Sequence, residues 1–397
     1  MLSKRFIEGL ILVLIASLLL QQWVIGLLCM LTLVPLAAAK IWQRWALHAL
    51  IYERNLSEHH VFPDSEIEMT TRITNRKLLP LVRLDLADTI PDGLEIIGVK
   101  LFAVRSIGSR ALLRSLSLGW YEAVTRRYQV RCMQRGAYQL GPVRLESGDP
   151  FGFFRQEREQ RTLSQLVVYP RLLPPQELGF EMRQLLGDIR AQNRLLADPS
   201  RTVGVRDYHR EDPLKSIHWN ATARRGMLQT RVYEPTTALD IMCFLDPSTY
   251  SYIWEGIDPV EGERLISMAA TICKALIGAG HSVGLWTNAV TAGGGGTVRV
   301  ASAHSPQQLG RILETLARLR LYTGPAMAHL LASARSMIAS GATVVLISAQ
   351  ANTATRAGLL RLRSAGHPVV WISLGAEKPV LPGATVYHIP PARKETQ

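Results

Sequence analysis

Residues 239–245 read LDIMCFL, a short and almost continuous apolar run. A run of this length is typical of a strand that is buried on both faces of a parallel sheet. Helical and strand-like patterns alternate downstream of it. Helices are predicted over residues 263–280, 306–319, 325–340 and 356–365, and strands over residues 282–287, 343–347, 369–373 and 384–388. Such alternation indicates crossover helices, so residues 238–391 are predicted to form a doubly wound α/β domain.

Upstream of this domain, residues 56–170 change to a period of two. The segment 65–75, SEIEMTTRITN, alternates polar and apolar residues, and turn sequences such as Pro91-Asp92-Gly93 separate the alternating runs. Short alternating strands between turns predict an antiparallel β-sandwich. Residues 171–237 are predicted to connect this β module to the α/β domain, and residues 392–397 to form a tail.

The β module is rich in arginine. Its arginines include Arg105, Arg110, Arg114, Arg126, Arg127, Arg131 and Arg135. A solvated strand face accounts for most such patterns. Contact with anionic lipid headgroups, worth about 1 kcal/mol for each basic residue near the surface, is the functional alternative.

The N-terminal region contains two apolar runs, residues 6–20 and 24–39, separated only by Gln21-Gln22-Trp23. With their flanking residues, the runs approach the roughly 20 residues that a membrane-spanning helix needs. They predict a transmembrane helical hairpin. A signal peptide is the alternative, but its apolar region is usually about 7–15 residues long, and here it would be longer and interrupted.

Basic residues flank the predicted hairpin on both sides. Lys4 and Arg5 precede the first run, and Lys40 and Arg44 follow the second. Because basic residues stay on the cytoplasmic side, the soluble region is predicted to lie in the cytoplasm beneath the inner membrane. Helical spacing over residues 40–55 predicts a juxtamembrane helix, which places residues 1–55 in the anchor.

Composition excludes some classes of protein. The 397-residue chain has 45 basic and 32 acidic residues and a net charge of +13. With 47% hydrophobic residues it is too apolar for a disordered chain. Nucleic-acid binding is an alternative that the charge suggests, but aromatic interleaving and a reader motif are missing. Four isolated cysteines without a C-x-x-C pair argue against a disulfide framework or a zinc ribbon.

Charged and aromatic residues are densest over residues 204–234, GVRDYHREDPLKSIHWNATARRGMLQTRVYE. A catalytic cluster around His218, Asp207 or Asp212 is one interpretation. A structural or partner-binding network is favoured, because perturbed charges also occur in such networks and no nucleophile stands at a recognisable spacing from a base. P-loop, H-E-x-x-H and G-x-S-x-G motifs do not occur in the sequence. The run Gly293–Gly296 is predicted to be a hairpin turn between residues 288–291 and 297–300.

A second place for chemistry follows strand 239–245. Loops at the carboxyl ends of parallel strands are the usual ligand sites of doubly wound sheets. Asp246, Ser248 and the hydroxyl of Tyr250 would offer oxygen ligands to a divalent cation such as Mg²⁺. A hydrolase that uses Ser248 or His218, with Asp246 or Asp212 as its partner, is the enzymatic alternative.

Several motifs resemble the bacterial domain-of-unknown-function 58 family. The segment RGAY at 135–138, with GPV at 141–143 and DPFGFF at 149–154, resembles the family's RG-x-Y…DPFGLF, and VYPR at 168–171 resembles its V-Y-P-R. The sequence resembles the family core R-E-Y-x-x-G-D-x-x-R-x-I-x-W-x-x-S-A-R at Arg206, Tyr208, Asp212, Ile217, Trp219 and Arg224, with Asp207 in the position of its Glu. Asp207 and Lys215 depart from the pattern's Glu and Arg, which keeps the charge but changes its reach.

This resemblance implies a role without a reaction. Family members are membrane proteins with a von Willebrand factor A-like domain, and they are implied partners of MoxR-type AAA+ ATPases. The expected function is therefore a membrane-anchored, non-catalytic adaptor that contacts this ATPase and membrane lipid, without a nucleic acid or small-molecule substrate. The adhesion-type metal pattern D-x-S-x-S is degenerate here, because Tyr250 replaces its second Ser and the strand at 344–347 is not followed by Asp. No metal or other cofactor is expected.

Overall fold

The computed structural model describes residues 4–104, 108–194, 202–209, 212, 214–233, 238–250, 256–291, 297–375 and 377–391. The chain divides into two compact units, Met1–Tyr169 and Pro170–Gln397. It is a mixed α/β protein whose strands form several sheets.

The first unit begins with two helices, α1 (Lys4–Leu19) and α2 (Trp23–Ala46). By length and composition, α2 alone among the described helices is long and apolar enough to cross a bilayer, and the apolar part of α1 is shorter. The predicted juxtamembrane helix is correct only to Ala46. Residues 50–56 form a strand instead. Every second side chain from Leu50 to Leu56 is buried, and the backbone of this segment pairs with residues 69–75.

Short strands form the rest of this unit. They are β1 (Leu50–Leu56), β2 (His60–Val61), β3 (Glu66–Asn75), β4 (Leu81–Pro91), β5 (Leu94–Ile96), β6 (Phe102–Ala103), β7 (Ser109–Leu118), β8 (Ala123–Cys132), β9 (Gly136–Leu140), β10 (Val143–Gly148), β11 (Arg155–Gln160) and β12 (Ser164–Val168). The sheets have the strand orders β1-β3-β8-β5, β11-β10-β4-β7-β6 and β2-β12-β9. The prediction of a strand-rich module is confirmed, and its pairs are antiparallel except for β2 with β12.

A polar layer separates two apolar clusters of this unit. Met69, Leu112 and Val130 belong to one cluster, and Leu50 and Leu118 belong to the other. Between them along β1 lies Arg54, whose fully buried side chain forms an ion pair with the fully buried carboxylate of Asp88. Of the arginines predicted on this face, Arg126, Arg127 and Arg131 are exposed, and Arg110, Arg114 and Arg135 are half-buried. Some pair across strands, as in the 2.6 Å contact of Arg131 with Glu66. Arg105 lies outside the described residues.

The second unit opens with a short 3₁₀ turn, Pro175–Glu177, and helix α3 (Met182–Arg194). The elements that follow are β13 (Thr202–Asp207), α4 (Trp219–Arg225), β14 (Gln229–Tyr233), β15 (Asp240–Asp246), α5 (Pro259–Gly278), β16 (Ser282–Thr287), β17 (Ala289–Thr291), β18 (Val298–Ala303), α6 (Gln308–Arg318), β19 (Leu319–Thr323), α7 (Met327–Met337), β20 (Thr343–Ser348), α8 (Thr353–Ser364), β21 (Val369–Ser373) and β22 (Thr385–His388).

A six-stranded sheet organises this unit in the order β18-β16-β15-β20-β21-β22. Its strands are parallel except for the edge strand β18, so the predicted parallel sheet with crossover helices is confirmed. One face packs on α7 and α8 through Phe244, Leu346 and Trp371. Because helices cover the sheet, the central strands β15, β20 and β21 are buried over nearly their whole length, as the run 239–245 predicted.

The predicted hairpin between residues 288–291 and 297–300 is wrong. Strand β17 pairs with β19, and β18 returns along β16. The glycines 293–296 lie outside the described residues. Sequence reasoning missed β19 because its residues continue the apolar pattern of α6.

Candidate functional site

The family core motif folds into a two-stranded ribbon with a short helical insert. Strands β13 and β14 are antiparallel, with Asp207 opposite Gln229. The insert contains one 3₁₀ turn, Leu214–Ser216, followed by α4. It is tied back to the ribbon by the amide of His218, which donates to the carbonyl of Gln229 at 2.8 Å.

Asp212 organises the turn that leaves β13. Arg206 Nη2 donates to its Oδ1 at 2.6 Å, and the amide of His209 donates to its Oδ2 at 2.9 Å. The hydroxyl of Tyr208 donates to the Asp212 carbonyl at 3.1 Å. The hydrogen bond from Arg206 lowers the pKa of Asp212, so this carboxylate is charged at neutral pH. Two of the predicted motif residues, Arg206 and Tyr208, therefore meet at a third, Asp212.

Gln229 joins the ribbon to the insert, and sequence reasoning missed it. Its side chain is fully buried. Its Nε2 donates to Asp207 Oδ1 at 2.6 Å, and its amide donates to Thr222 Oγ1 at 3.0 Å. An isolated glutamine forms no recognisable sequence motif. Only its place opposite Asp207 in the ribbon reveals the role.

The remaining motif residues divide between the interior and the surface. Ile217 is buried. His218 is the N-cap of α4, because its Nδ1 accepts the amide of Ala221 at 3.1 Å. Trp219 and Arg224 are exposed on α4. This geometry makes His218 a capping residue, and no hydrogen bond joins it to Ser248 among the described residues.

The outer surface of this motif carries large apolar side chains. Leu214, Trp219 and Met227 are all exposed, and the Trp219 side chain is 66% accessible. The same motif also carries exposed basic residues: Arg206, Lys215, Arg224, Arg225 and Arg231. Aromatic and apolar anchors within a polar rim are the usual composition of protein interfaces. We call the exposed side chains of Leu214, Trp219 and Met227 the ribbon patch.

Asp246 occupies the switch point of the parallel sheet. Strand β15 has β16 on one side and β20 on the other, so the chain changes direction across the sheet here. Asp246 is the last residue of β15 and lies opposite Ser348 of β20. The carboxylate is buried, and its Oδ1 accepts the Asn288 side-chain amide at 3.0 Å and the Ser248 amide at 3.1 Å. Ser348 Oγ accepts Trp371 Nε1 at 3.0 Å. Sequence reasoning found Asp246 and Ser248 but missed Asn288, which comes from a different strand end.

The donor set around Asp246 fits a hydrogen-bonded carboxyl group better than a cation. The Ser248 backbone amide, the Asn288 side-chain amide and the Ser248 hydroxyl all hydrogen-bond to this carboxyl group. Among the described residues no group of three His, Cys, Asp or Glu side chains could hold a metal ion. Divalent cations such as Mg²⁺ instead need several converging oxygens. That the protein has no resident metal stays a prediction.

Replacing the Asp246 carboxylate should stabilise the second unit. Burial raises the pKa of Asp246, and hydrogen bonds from Ser248 and Asn288 offset only part of this effect. A raised folded-state pKa means that the folded protein binds the proton more tightly. The free energy of unfolding should thus fall as the pH rises from about 3.9, the ordinary Asp value, through the raised pKa. Asp246→Asn should remove this fall and raise the thermal midpoint at neutral pH.

Thermal unfolding at a series of pH values measures this effect, with Asp240→Asn, an exposed residue of the same strand, as the control. An unchanged pH dependence in Asp246→Asn would contradict the prediction. A midpoint that Mg²⁺ raises in the wild type and leaves alone in Asp246→Asn would assign a cation to this carboxylate.

These features define a class of protein. It has one N-terminal helix apolar enough to cross a bilayer, a strand-rich unit and a unit built on a largely parallel sheet. Residues 204–389 match the family model described as protein of unknown function DUF58. The motif residues predicted this resemblance, and the family match confirms it for residues 204–389.

A relative supports this assignment. The chain is 21% identical to the uncharacterized protein YeaD of Bacillus subtilis (strain 168) over 233 residues. The alignment covers 58% of this chain and 54% of YeaD, so the chain spans about half the length of that relative.

Solved structures resemble parts of the chain only weakly. A CARDB domain from Pyrococcus furiosus is 14% identical with a TM-score of 0.21, and it covers 30% of this chain and 91% of its own. The macrocyclization enzyme AvmM of alchivemycin A biosynthesis is 11% identical with a TM-score of 0.22, covering 32% and 93%. The GAE domain of GGA2p from Saccharomyces cerevisiae is 11% identical with a TM-score of 0.20, covering 30% and 89%.

Proposed function

We propose that this DUF58 protein is a membrane-anchored, non-catalytic adaptor that presents a von Willebrand factor A-like domain to a MoxR-type AAA+ ATPase. The parallel sheet with helices on its faces is compatible with such a domain. The role as a partner of the ATPase comes from the family resemblance, and the ribbon patch supplies a surface for it.

The observation that carries the proposal is the exposed ribbon patch on a braced scaffold. Arg206, Asp212 and Gln229 hold the ribbon and its insert in one conformation through side-chain hydrogen bonds. Trp219 projects from this scaffold into solvent. A rigid support lowers the entropy cost of binding, and tryptophan is among the most frequent residues that dominate interface energies. The network thus orients a binding anchor without performing catalysis.

The anchor is proposed to be the hairpin of α1 and α2, with the soluble units on the cytoplasmic side. Helix α2 has 24 residues, which at about 1.5 Å per residue is enough for a hydrocarbon core of about 30 Å. Helix α1 has 16 residues and would need its flanking residues to span. The basic residues at the start of α1 and near the end of α2 favour the cytoplasmic orientation.

Truncating the central aromatic side chain should weaken the complex. Trp219→Ala is expected to reduce the affinity for a MoxR-type ATPase from the same genome by about 2 kcal/mol or more, roughly thirtyfold in Kd. The matched control is Tyr322→Ala. Trp219 and Tyr322 are 66% and 70% accessible, and both belong to the second unit. Biolayer interferometry with the detergent-solubilised chain measures both variants.

The adaptor proposal has a clear way to fail. If wild type and Trp219→Ala bind the ATPase equally, the ribbon patch is not the contact. If the wild type does not bind it, with or without nucleotide, the assigned partner is wrong.

A further inference from the structure

The hairpin of β10 and β11 lies along the segment that follows α2 and reaches the end of α2 itself. At its far end, Gln160 Nε2 donates to the carbonyl of Tyr52 at 3.1 Å. Two residues earlier in β11, Arg158 Nη1 donates to the carbonyl of Leu47 at 3.1 Å. The contacts therefore move towards α2 as the hairpin approaches its tip.

The tip itself lies beside the last turns of α2. Gln43 Nε2 donates to the carbonyl of Arg155 at 2.7 Å. One residue nearer the tip, the Lys40 ammonium lies 4.7 Å from the centroid of the Phe154 ring. Lys40 is the first charged residue after the apolar residues 24–39. The hairpin tip thus lies beside the C-terminal end of the apolar part of α2.

The tip is a preformed loop, the segment DPFGFF at 149–154 that resembles the family's DPFGLF. The Asp149 carboxylate accepts the amides of Phe151, Phe153 and Phe154, at 3.0, 3.2 and 2.5 Å. Gly152 has a φ of 76°, a conformation that glycine adopts without strain. The loop therefore fixes its own shape through one side chain and one glycine.

This fixed loop presents apolar rings to the outside. Phe151 is 62% accessible and Phe153 is 37% accessible, and their rings are stacked with centroids 5.9 Å apart. Ile41 and Trp45 of the neighbouring helix are exposed as well. Exposed rings on a preformed loop mark a binding surface, and aromatic residues concentrate at membrane–water interfaces.

We propose that the Asp149–Phe154 loop inserts Phe151 and Phe153 into the lipid bilayer at the boundary between headgroups and acyl chains, beside α2. The proposal rests on the proposed membrane anchoring by α2. The occupant is lipid, because the loop extends along a membrane helix to its apolar part, and Lys40 marks the headgroup level there. The loop then gives the strand-rich unit a second attachment, which fixes its orientation on the membrane.

Depth-dependent quenching tests the insertion in the full chain. Phe151→Cys carries an environment-sensitive dye, and the chain is reconstituted in phosphatidylcholine and phosphatidylglycerol vesicles that contain nitroxide lipids. The control is Leu163→Cys, an exposed apolar residue (49% accessible) beyond the opposite end of β11. The native cysteines are buried, so labelling of the wild type serves as the blank. Leu31→Cys, an exposed position within α2, reports whether that helix is in the bilayer.

We expect quenching at position 151 to be at least about twofold stronger than at position 163, and strongest with nitroxides near the headgroup. Quenching at position 31 with equal, weak quenching at 151 and 163 would overturn the loop proposal and leave the α2 anchor intact. Weak quenching at all three positions would overturn the anchoring as well. A blue-shifted but unquenched dye at position 151 would mean that protein covers the loop, either a second copy or a partner, and would also overturn insertion.

Discussion

Asp88→Ala is expected to destabilise the strand-rich unit by about 3–5 kcal/mol, because it leaves a buried guanidinium without its counter-charge. Asp88 accepts the Tyr52 hydroxyl at 2.7 Å and Arg54 Nε at 3.2 Å, and a second Arg54 nitrogen also bonds to it. Both charged side chains are completely inaccessible to solvent. Arg54 Nη1 is buried without a hydrogen-bond partner among the described residues, so loss of the carboxylate would leave the guanidinium still less satisfied.

The matched control removes the charges together. A triple variant with Arg54→Met, Asp88→Leu and Tyr52→Phe should cost much less than Asp88→Ala. The physical reason is that an apolar replacement of similar volume removes the desolvation cost along with the attraction. The difference between the variants separates the penalty of an orphaned charge from the net value of the pair.

Hydrogen–deuterium exchange of the full chain in detergent gives a readout for each unit. Amides of β3 and β8 should lose protection in Asp88→Ala, while those of β15 and β20 serve as the internal reference. If β3 and β8 keep their protection within about 0.5 kcal/mol, as after an ordinary surface substitution, the ion pair is not the core element described above.

Trp371→Ala is the second substitution with a large expected effect, about 3–5 kcal/mol on the second unit. Trp371 is among the largest fully buried side chains and packs with Phe244, Leu346 and Leu359 between β21 and the helices. Its loss leaves a cavity in a densely packed core. It also removes the Nε1–H group that donates to Ser348 Oγ at 3.0 Å. Ser348 lies opposite Asp246 in the sheet.

Two controls separate the contributions to this effect. Trp371→Phe keeps much of the volume and should lose about 1 kcal/mol for the missing hydrogen bond, plus a smaller packing cost. Trp219→Ala removes an exposed tryptophan of the same unit and should change stability by no more than about 0.5 kcal/mol. Urea unfolding followed by exchange of β20 and β21 measures all three. Equal losses for Trp371→Ala and Trp219→Ala would contradict the assignment of Trp371 to the core.

Most elements were predictable because each leaves a local pattern. The alternation over residues 65–75 corresponds to β3, and the apolar runs 343–347 and 369–373 correspond to β20 and β21. The motif residues Arg206, Tyr208 and Asp212 were recognisable as a unit because they lie within seven positions of one another. Their hydrogen bonds are correspondingly local.

Elements that depend on distant partners were not predictable in the same way. Residues 50–55 carry a helical spacing, yet pairing with β3 and burial of Tyr52 and Arg54 make them a strand. Asn288 reaches Asp246 only because β15 and β16 are neighbours in the sheet. Gln229 has a role only once β13 and β14 pair.

The amino-acid sequence by itself determined the apolar α2, the strand and helix periods of both units, and the match of residues 204–389 to the DUF58 family model. These depend on side-chain types at spacings of a few residues, where local propensity and solvent exclusion act directly. Only the tertiary structure decided that α2 ends at Ala46, that Arg54 meets Asp88 inside a core, and that the Asp149–Phe154 loop lies beside Lys40. Such contacts join residues distant in the chain, and their geometry is set by sheet register and by the burial of whole elements.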